Sequence, residues 1–207
     1  MKVLAINGSP HKNGSTYTAI RLIADELEKQ DITTEIVHVG ADVIRGCTGC
    51  NHCSATGSGR CVFDDDAVNE CLTKSEDVDG IIIGSPVYYS GISGTMKCFL
   101  DRFFYAGHTL QYKVGTAVVA LRRSGAVDTF HQMNNYFNLR DIIITPSHYW
   151  NALHSAAPGQ TALDDEGVQV MRTLGKNMAW LMKSLAYSSE TVALPTQEPR
   201  VFTNFIR

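Results

Sequence analysis

The sequence predicts one α/β domain over residues 1–207, in which helices cover both faces of a five-stranded parallel sheet. Short apolar segments alternate with amphipathic ones along the chain, as in successive βαβ units. Gly80–Gly84 (GIIIG) is apolar throughout, which is typical of a strand buried on both faces. Five such strands favour the order 2-1-3-4-5 with right-handed crossovers. Ligands of such sheets bind where the order reverses, beyond the carboxyl ends of strands one and three.

Each element has its own signal in the sequence. Lys2–Asn7 reads as a buried first strand, and Ile20, Ile23 and Leu27 recur at i, i+3 and i+7, which predicts a helix over residues 15–30. The further predicted strands are 33–39, 80–84, 114–121 and 141–145. The further predicted helices run from the carboxylates at 64–66 to about 74, and over 93–105, 126–139 and 164–186. The last helix has a core-facing stripe of Met171, Met178, Met182, Leu174, Leu181 and Leu185. An extended tail is expected over residues 188–207.

Composition excludes several classes of protein. Eighteen Lys and Arg oppose 21 Asp and Glu, which gives a net charge of −3 and argues against nucleic acid as a partner. Hydrophobic residues make up 44% of the chain, so it is not a disordered protein. No apolar run approaches the roughly 18 residues of a membrane helix, and MKVLAI is too short for a signal peptide. We therefore expect a cytoplasmic protein with no membrane partner.

The loop after the first strand, GSPHKNGST (residues 8–16), has the composition of a phosphate site. Its small hydroxyl residues, Asn and Gly can surround a phosphate at the start of a helix. It matches neither a Walker A loop nor GxGxxG. The alternative is an ordinary strand-to-helix turn with a hydroxyl N-cap. The candidate phosphate ligands are Ser9, Asn13, Gly14, Ser15 and Thr16, with His11 as a weaker candidate for contact with the anion.

The loop after the third strand, SPVYYSGISG (residues 85–94), is suited to a flat ring. Pro86 is expected to end the strand, Gly91 and Gly94 leave room beside the backbone, and Tyr88 or Tyr89 can cover a ring face. The alternative is a Pro-Gly turn with two surface tyrosines. A phosphate at one loop and a heteroaromatic ring at the other together describe a mononucleotide such as FMN.

Several motifs together resemble one known family. GSPHKNGST resembles a GSP-x-x-x-G-N-T loop, and SPVYYSGISGTMKCFLDR resembles an SP-x-Y-(F/Y) segment that ends in D-R. CTGCNHC followed by CVFDDD, and HYWN at 148–151, resemble two further elements. The family is the NADPH-dependent FMN reductase and iron–sulfur flavoprotein group of the flavodoxin-like superfamily. The chain departs from its pattern at Ser15, where Asn is common.

The resemblance implies a flavodoxin-like three-layer sandwich, a bound FMN and a homodimer or homotetramer. It places the phosphate on Ser9, Asn13, Gly14, Ser15 and Thr16 of the first loop (loop one, residues 8–16). It places the ring on Pro86, Val87, Tyr88, Tyr89, Ser90 and Gly91 of the second (loop two, residues 85–94). It also implies a third, ring-edge loop formed by Arg122, Arg123, Ser124 and Gly125. Lys97, Asp101 and Arg102 recur in the family's helix, and we interpret them as structural or interface residues.

Four cysteines form a cluster in the loop at 46–63. Cys47, Cys50, Cys53 and Cys61 have the spacing C-x2-C-x2-C-x7-C, which suits a 4Fe–4S cluster better than zinc. The spacing also resembles that of the family's iron–sulfur flavoproteins. The alternative is free thiols, or thiols that pair during redox cycling. Cys71 and Cys98 fall in predicted helices and are expected to be packing residues.

The family resemblance implies an FMN-dependent NAD(P)H oxidoreductase. Electrons would pass from NAD(P)H through FMN to a small acceptor such as a flavin or a quinone. No catalytic acid or base is expected, because the flavin carries the redox chemistry. The alternatives are an iron–sulfur flavoprotein that carries electrons through a 4Fe–4S cluster, and a non-catalytic flavin redox sensor.

Overall fold

The computed structural model describes residues 1–157, 159–199, 201–203 and 205. Its strands are β1 (Lys2–Asn7), β2 (Thr33–His38), β3 (Gly80–Tyr88), β4 (Gly91–Ile92), β5 (Val114–Leu121), β6 (Ile143–Ile144) and β7 (Ala152–His154). Its helices are α1 (Ser15–Glu28), α2 (His52–Thr56), α3 (Ala67–Lys74), α4 (Gly94–Ala106), α5 (Ala126–Asn138) and α6 (Asp165–Ser188). Short 3-10 turns occupy Ser75–Asp77 and Gln160–Leu163.

The main path of the sheet follows the order β2-β1-β3-β5-β6, and all of its pairs are parallel. When the two-residue strand β4 is left out and the strands of this path are numbered in chain order, the order becomes 2-1-3-4-5. The predicted order is therefore confirmed. Strand β1 is central, and Asn7 lies beside both His38 of β2 and Gly84 of β3. The carboxyl ends of β1 and β3 therefore meet at the point where the order reverses.

The predicted fifth strand, 141–145, is largely wrong. Asp141 has a φ of 52°, a left-handed conformation that a strand does not contain, and only Ile143–Ile144 pairs with the start of β5. The end of β5 pairs instead with β7, in parallel. The edge of the sheet is thus shared by two short strands, and residues 145–151 leave it and return.

Strand β3 continues past the point where it was expected to end. It runs through Pro86 to Tyr88, and Pro86 lies opposite Ala120 of β5. Since β1 ends opposite Gly84, this part of β3 is paired with a parallel strand on one side only, where a residue without an N–H is tolerated. Residues 91–92 then fold back on β3 as the antiparallel strand β4, which was not predicted.

Two apolar clusters cover the two faces of the sheet. Val3 and Ala5 of β1 belong to the cluster with α1 and α6, whereas Leu4 and Ile6 belong to the cluster with α3, α4 and α5. This alternation is the period of two expected for a strand between helix layers. The stripe on α6 is confirmed to face the core, and its buried members are Met171, Leu174, Met178 and Met182.

The described residues after Ser188 form no helix or strand, as expected for the tail, although Arg200, Asn204, Ile206 and Arg207 lie outside the described part. Within the described residues, no helix combines the length and the apolar character needed to cross a membrane. The loop at 46–63 contains the short helix α2, which was not predicted.

Candidate functional site

Loop one is held in shape by the side chain of Asn7. This residue is fully buried, its Oδ1 accepts a hydrogen bond from Ser9 N at 3.1 Å, and its Nδ2 donates to Lys12 O at 3.0 Å. Ser9 Oγ in turn accepts from His11 N at 3.2 Å. The loop is therefore folded by its own hydrogen bonds before any ligand is present.

The start of α1 has unused hydrogen-bonding capacity. Gly14 is its N-cap residue, no side chain caps it, and the first turn contains no acidic residue. Thr16 is 1% exposed, and its Oγ1 has no hydrogen-bond partner. An unpaired buried hydroxyl beside uncapped helix N–H groups suits an anion, because the helix dipole also favours negative charge there.

Loop two (residues 85–94) comprises the end of β3, the turn at residues 89–90, β4 and the residues that lead into α4. Tyr89 and Ser90 have φ values of 48° and 59°, and the Tyr89 side chain projects fully into solvent. Two consecutive left-handed residues other than Gly are uncommon, and they turn the chain sharply at the sheet edge. Loop two is tied to loop one through Ser93, whose Oγ donates to Gly8 O at 2.8 Å and whose N donates to Ser85 Oγ at 3.0 Å.

Loop three (residues 122–125) packs directly on loop two. Gly125 has a φ of 87°, and a Cβ at this position would lie 2.9 Å from Val87 Cγ1 and 3.0 Å from Ser90 Cα. Only glycine fits there without displacing the neighbouring loop. The close approach keeps loops two and three together at the ends of β3 and β5.

The structure joins these loops around one open cleft of about 290 Å³, close to the lower size of small-molecule sites. The predicted residues that line it are Ser9, His11, Gly14, Ser15, Thr16, Pro86, Val87, Tyr88 and Arg122. The predicted residues that do not line it are Asn13, Tyr89, Ser90, Gly91, Arg123, Ser124 and Gly125. The loops thus meet as expected, whereas the individual contacts of their residues with a cofactor stay predictions.

A fourth segment completes the cleft and was missed in the sequence. Ser155, Ala156 and Ala157 form part of its wall, directly after β7. The fifth strand was predicted at 141–145, so residues 155–157 were not expected at a strand end. They follow β7 instead, which was not predicted. The alternation in Ala152–His154, followed by small residues, was the available signal.

Comparisons with known proteins identify the family of this chain. A sequence model of the NADPH-dependent FMN reductase family matches residues 1–157. The chain belongs to this family. It is 36% identical over 192 residues to an iron–sulfur flavoprotein of Methanocaldococcus jannaschii, over 88% of this chain and 98% of that protein. It is 32% identical over 212 residues to an iron–sulfur flavoprotein of Archaeoglobus fulgidus, over 99% of this chain and 92% of that protein.

The fold of this FMN reductase family member is flavodoxin-like. A solved flavodoxin from the domain Archaea superposes with a TM-score of 0.59 and 15% identity, over 88% of this chain and 99% of that chain. The family resemblance read from the motifs is therefore confirmed. Membership supports a flavoprotein oxidoreductase.

The four clustered cysteines lie on the wall of one small cavity beside α4. Cys47 and Cys50 are exposed, Cys53 is buried and Cys61 is half-buried, and all are free thiols. Among the described residues, no group of three or more His, Cys, Asp or Glu is arranged to hold a metal ion. Four thiols on one cavity wall supply the donor type that a 4Fe–4S cluster binds.

The other two cysteines lie outside that cavity. Cys71 is buried in α3, and burial raises the pKa of its thiol to about 12. Cys98 is half-buried against the same core cluster. The expectation of a buried packing residue is confirmed for Cys71, whereas Cys98 packs on the core but is only half-buried.

The wall formed by Ser155–Ala157 is anchored through Asp164. The Asp164 carboxylate accepts from His154 N at 2.6 Å and from Gly167 N at 2.9 Å, and so caps α6. Burial alone would raise the pKa of Asp164, but these backbone hydrogen bonds outweigh it and hold the pKa below its ordinary value.

Two other concave surfaces lie away from the predicted loops. A cavity of about 300 Å³ lies before β5 and β6, at the amino ends of the strands, where His108 and Arg140 line it. A groove beside α5 contains Tyr149 and Trp150, whose rings meet edge-to-face at 4.6 Å. Its neighbour Asn151 is buried and donates to Ala117 O at 3.0 Å, so it has a structural role in the sheet.

Proposed function

We propose that this protein binds FMN in the cleft and transfers electrons from NAD(P)H through it to a small acceptor such as a flavin or a quinone. One observation carries the proposal: the cleft joins an anion-receptive helix start to the end of β3. The unpartnered hydroxyl of Thr16 lies at the phosphate end. These features fit a phosphate joined to a flat ring.

The protein's part in the reaction is to bind and orient the cofactor. Bound FMN would supply the chemistry of hydride acceptance and electron release. Ser9, Ser15 and Thr16 would bind the phosphate, and Tyr88 would lie beside the ring. Arg122 lines the cleft and would favour an anionic reduced flavin by its charge.

The test is to purify the protein, record its visible spectrum and titrate the apoprotein with FMN. Oxidation of NADH or NADPH is then followed with riboflavin and with a soluble quinone as acceptors. We expect a yellow protein that consumes at least one nicotinamide with at least one acceptor. FMN binding without any turnover would favour the redox sensor, and no FMN binding would refute the proposal.

The second candidate function is an iron–sulfur flavoprotein that carries electrons between FMN and a 4Fe–4S cluster. Two observations favour it: the thiols of Cys47, Cys50, Cys53 and Cys61 line one cavity, and the curated relatives described above are iron–sulfur flavoproteins by name. These four residues would hold the cluster, which would supply one-electron transfer. NAD(P)H turnover without iron would favour the reductase alone.

Anaerobic purification followed by iron and sulfide assays tests the cluster. We expect about four irons per chain. A Cys61→Ser variant should lose most of this iron, whereas Cys98→Ser should keep it, since Cys98 does not line the cavity. Equal iron in the two variants would refute the ligand set.

We further propose that residues 1–207 form one domain and that the protein is a cytoplasmic homodimer or homotetramer. The motif resemblance supports the assembly. Light scattering coupled to size-exclusion chromatography gives the mass directly, and a monomer at micromolar concentration would refute it.

A further inference from the structure

Arg102 is a fully buried cation in contact with Cys61. This cysteine lies in the loop at 46–63, here called the cluster loop because it contains the four clustered cysteines. Arg102 lies on α4, its side chain is 0% exposed, and it is the largest of the fully buried side chains. Its Nε donates to Cys61 Sγ at 3.2 Å. An arginine remains charged in proteins, so a permanent positive charge lies beside this sulfur.

The terminal N–H groups of the Arg102 guanidinium bind residues near both ends of the cluster loop. One terminal nitrogen donates to Arg45 O at 3.3 Å, before the first cysteine, and pairs with the Asp66 carboxylate, after the last. The second donates to Phe63 O at 2.9 Å. A single side chain therefore holds the two ends of the loop together.

The arm that contains Cys61 is further fixed from α3. The side chain of Asn69, 2% exposed, accepts from Cys61 N at 2.8 Å and donates to Cys61 O at 3.0 Å. Asp66 caps the same helix by accepting from Val68 N at 3.1 Å. Cys61 is thus held in place before any metal is present, whereas Cys47 and Cys50 are exposed on the opposite arm.

From this geometry we propose that Arg102 is a positioning residue for the cluster, which fixes Cys61 as a preorganised ligand and raises the cluster's reduction potential through the Nε–H···Sγ hydrogen bond. The inference rests on the second candidate function above. It assigns a specific task to a residue that its sequence motif marks only as structural.

The sign of the effect follows from electrostatics. A cluster gains one negative charge on reduction, and that charge is shared with the thiolate sulfurs. A charged donor beside one sulfur therefore stabilises the reduced form more than the oxidised form. Hydrogen bonds to the sulfurs are among the factors that set the potentials of such clusters. Removal of Arg102 should lower the potential.

The test compares Arg102→Met/Asp66→Asn with Asp66→Asn alone. The double variant avoids leaving a buried carboxylate without its partner, and Asn retains the ability to cap α3. The single variant removes the carboxylate but keeps the bond from Arg102 to Cys61, so it is the matched control. Arg102→Lys keeps the charge but not the fixed geometry of the guanidinium.

Each protein is purified anaerobically as the holoprotein, and bound FMN confirms that the fold is intact. The cluster potential is measured by redox titration with electron paramagnetic resonance, and iron loss to a chelator is timed. We expect the double variant to titrate at a lower potential than Asp66→Asn and to lose iron several-fold faster. Arg102→Lys keeps Asp66, so it is compared with the wild type and should titrate at a lower potential because the fixed bond to Cys61 is lost.

The result that would refute the cluster differs from the result that would refute the role of Arg102. A wild-type protein without iron would overturn the cluster and the role of Arg102 together. A wild-type cluster whose potential is the same in the double variant and in Asp66→Asn would overturn the role of Arg102 alone.

Discussion

Ser93 Oγ donates a buried hydrogen bond to Gly8 O at 2.8 Å, between residues 85 positions apart in the sequence. This bond connects the loop after β3 to the loop after β1, and so sets the spacing between the two ends of the cleft. Ser93 N also donates to Ser85 Oγ at 3.0 Å, which joins the base of the same turn. The proposed phosphate and ring positions are therefore mechanically linked.

Ser93→Ala should weaken both stability and FMN binding. The variant leaves Gly8 O buried without its partner, at a cost of about 1–3 kcal/mol in the free energy of unfolding. Urea denaturation gives the stability, and fluorescence titration gives the FMN affinity. Ser189→Ala, at an exposed hydroxyl beyond α6, is the control and should change neither. An unaltered FMN affinity in Ser93→Ala would show that the loops do not depend on this bond.

Thr16→Val should move stability and FMN affinity in opposite directions. Its hydroxyl is buried without a partner, so a methyl group in its place should leave the apoprotein equally stable or more stable. Loss of a hydrogen bond to the phosphate should weaken FMN binding by about 1.5–3 kcal/mol.

Thr34→Val is the matched control for that experiment. Thr34 Oγ1 is also buried without a partner, but it lies on β2 and does not line the cleft. Its apoprotein stability should change as in Thr16→Val, with no change in FMN affinity. Equal FMN affinities in the two variants would contradict the assignment of Thr16 to the phosphate.

Gly125→Ala should disturb the packing of loop three on loop two, and Gly159→Ala is its control. The two φ values are nearly equal, 87° and 84°, but a Cβ at Gly159 would meet nothing within 4 Å. Each variant should lose about 1–2 kcal/mol from the left-handed backbone. Gly125→Ala should lose roughly 1–3 kcal/mol more from the contact with Val87, and it should also bind FMN more weakly. Thermal denaturation and FMN titration of both variants provide the comparison, and equal losses would argue against tight packing of loops two and three.

Asp164 should make stability depend on acid pH. Its pKa is lower in the folded protein than the ordinary value of 3.8, so its contribution is present above that value and is lost as the pH falls through the folded pKa. Asp164→Ala should cost about 1 kcal/mol at pH 7 through loss of the helix cap, and the difference from wild type should shrink at low pH. Asp164→Asn can cap α6 but cannot titrate. Urea midpoints between pH 7 and pH 2 test this, and a gap for Asp164→Ala that does not vary with pH would contradict it.

The sequence alone was enough to predict the layers, the strand order and the two main loops that line the cleft. Alternation of apolar strands with amphipathic helices leaves few topologies, because crossovers are right-handed and parallel strands are buried. Strand β5 has the predicted bounds, 114–121, and β1 ends at Asn7 as predicted, whereas β3 extends four residues beyond Gly84. These features depend on local pattern, which the residues of one segment carry by themselves.

Three features became evident only from the tertiary structure: the divided edge strand, the wall at Ser155–Ala157 and the partners of Arg102. The left-handed backbone at Asp141 and the return of β7 to β5 depend on contacts between distant segments, which periodicity within one segment does not record. Arg102 and Cys61 are 41 residues apart, and each pattern taken singly gives no sign of the other. A buried charge selects its partners in three dimensions, because desolvation makes an unpaired one too costly.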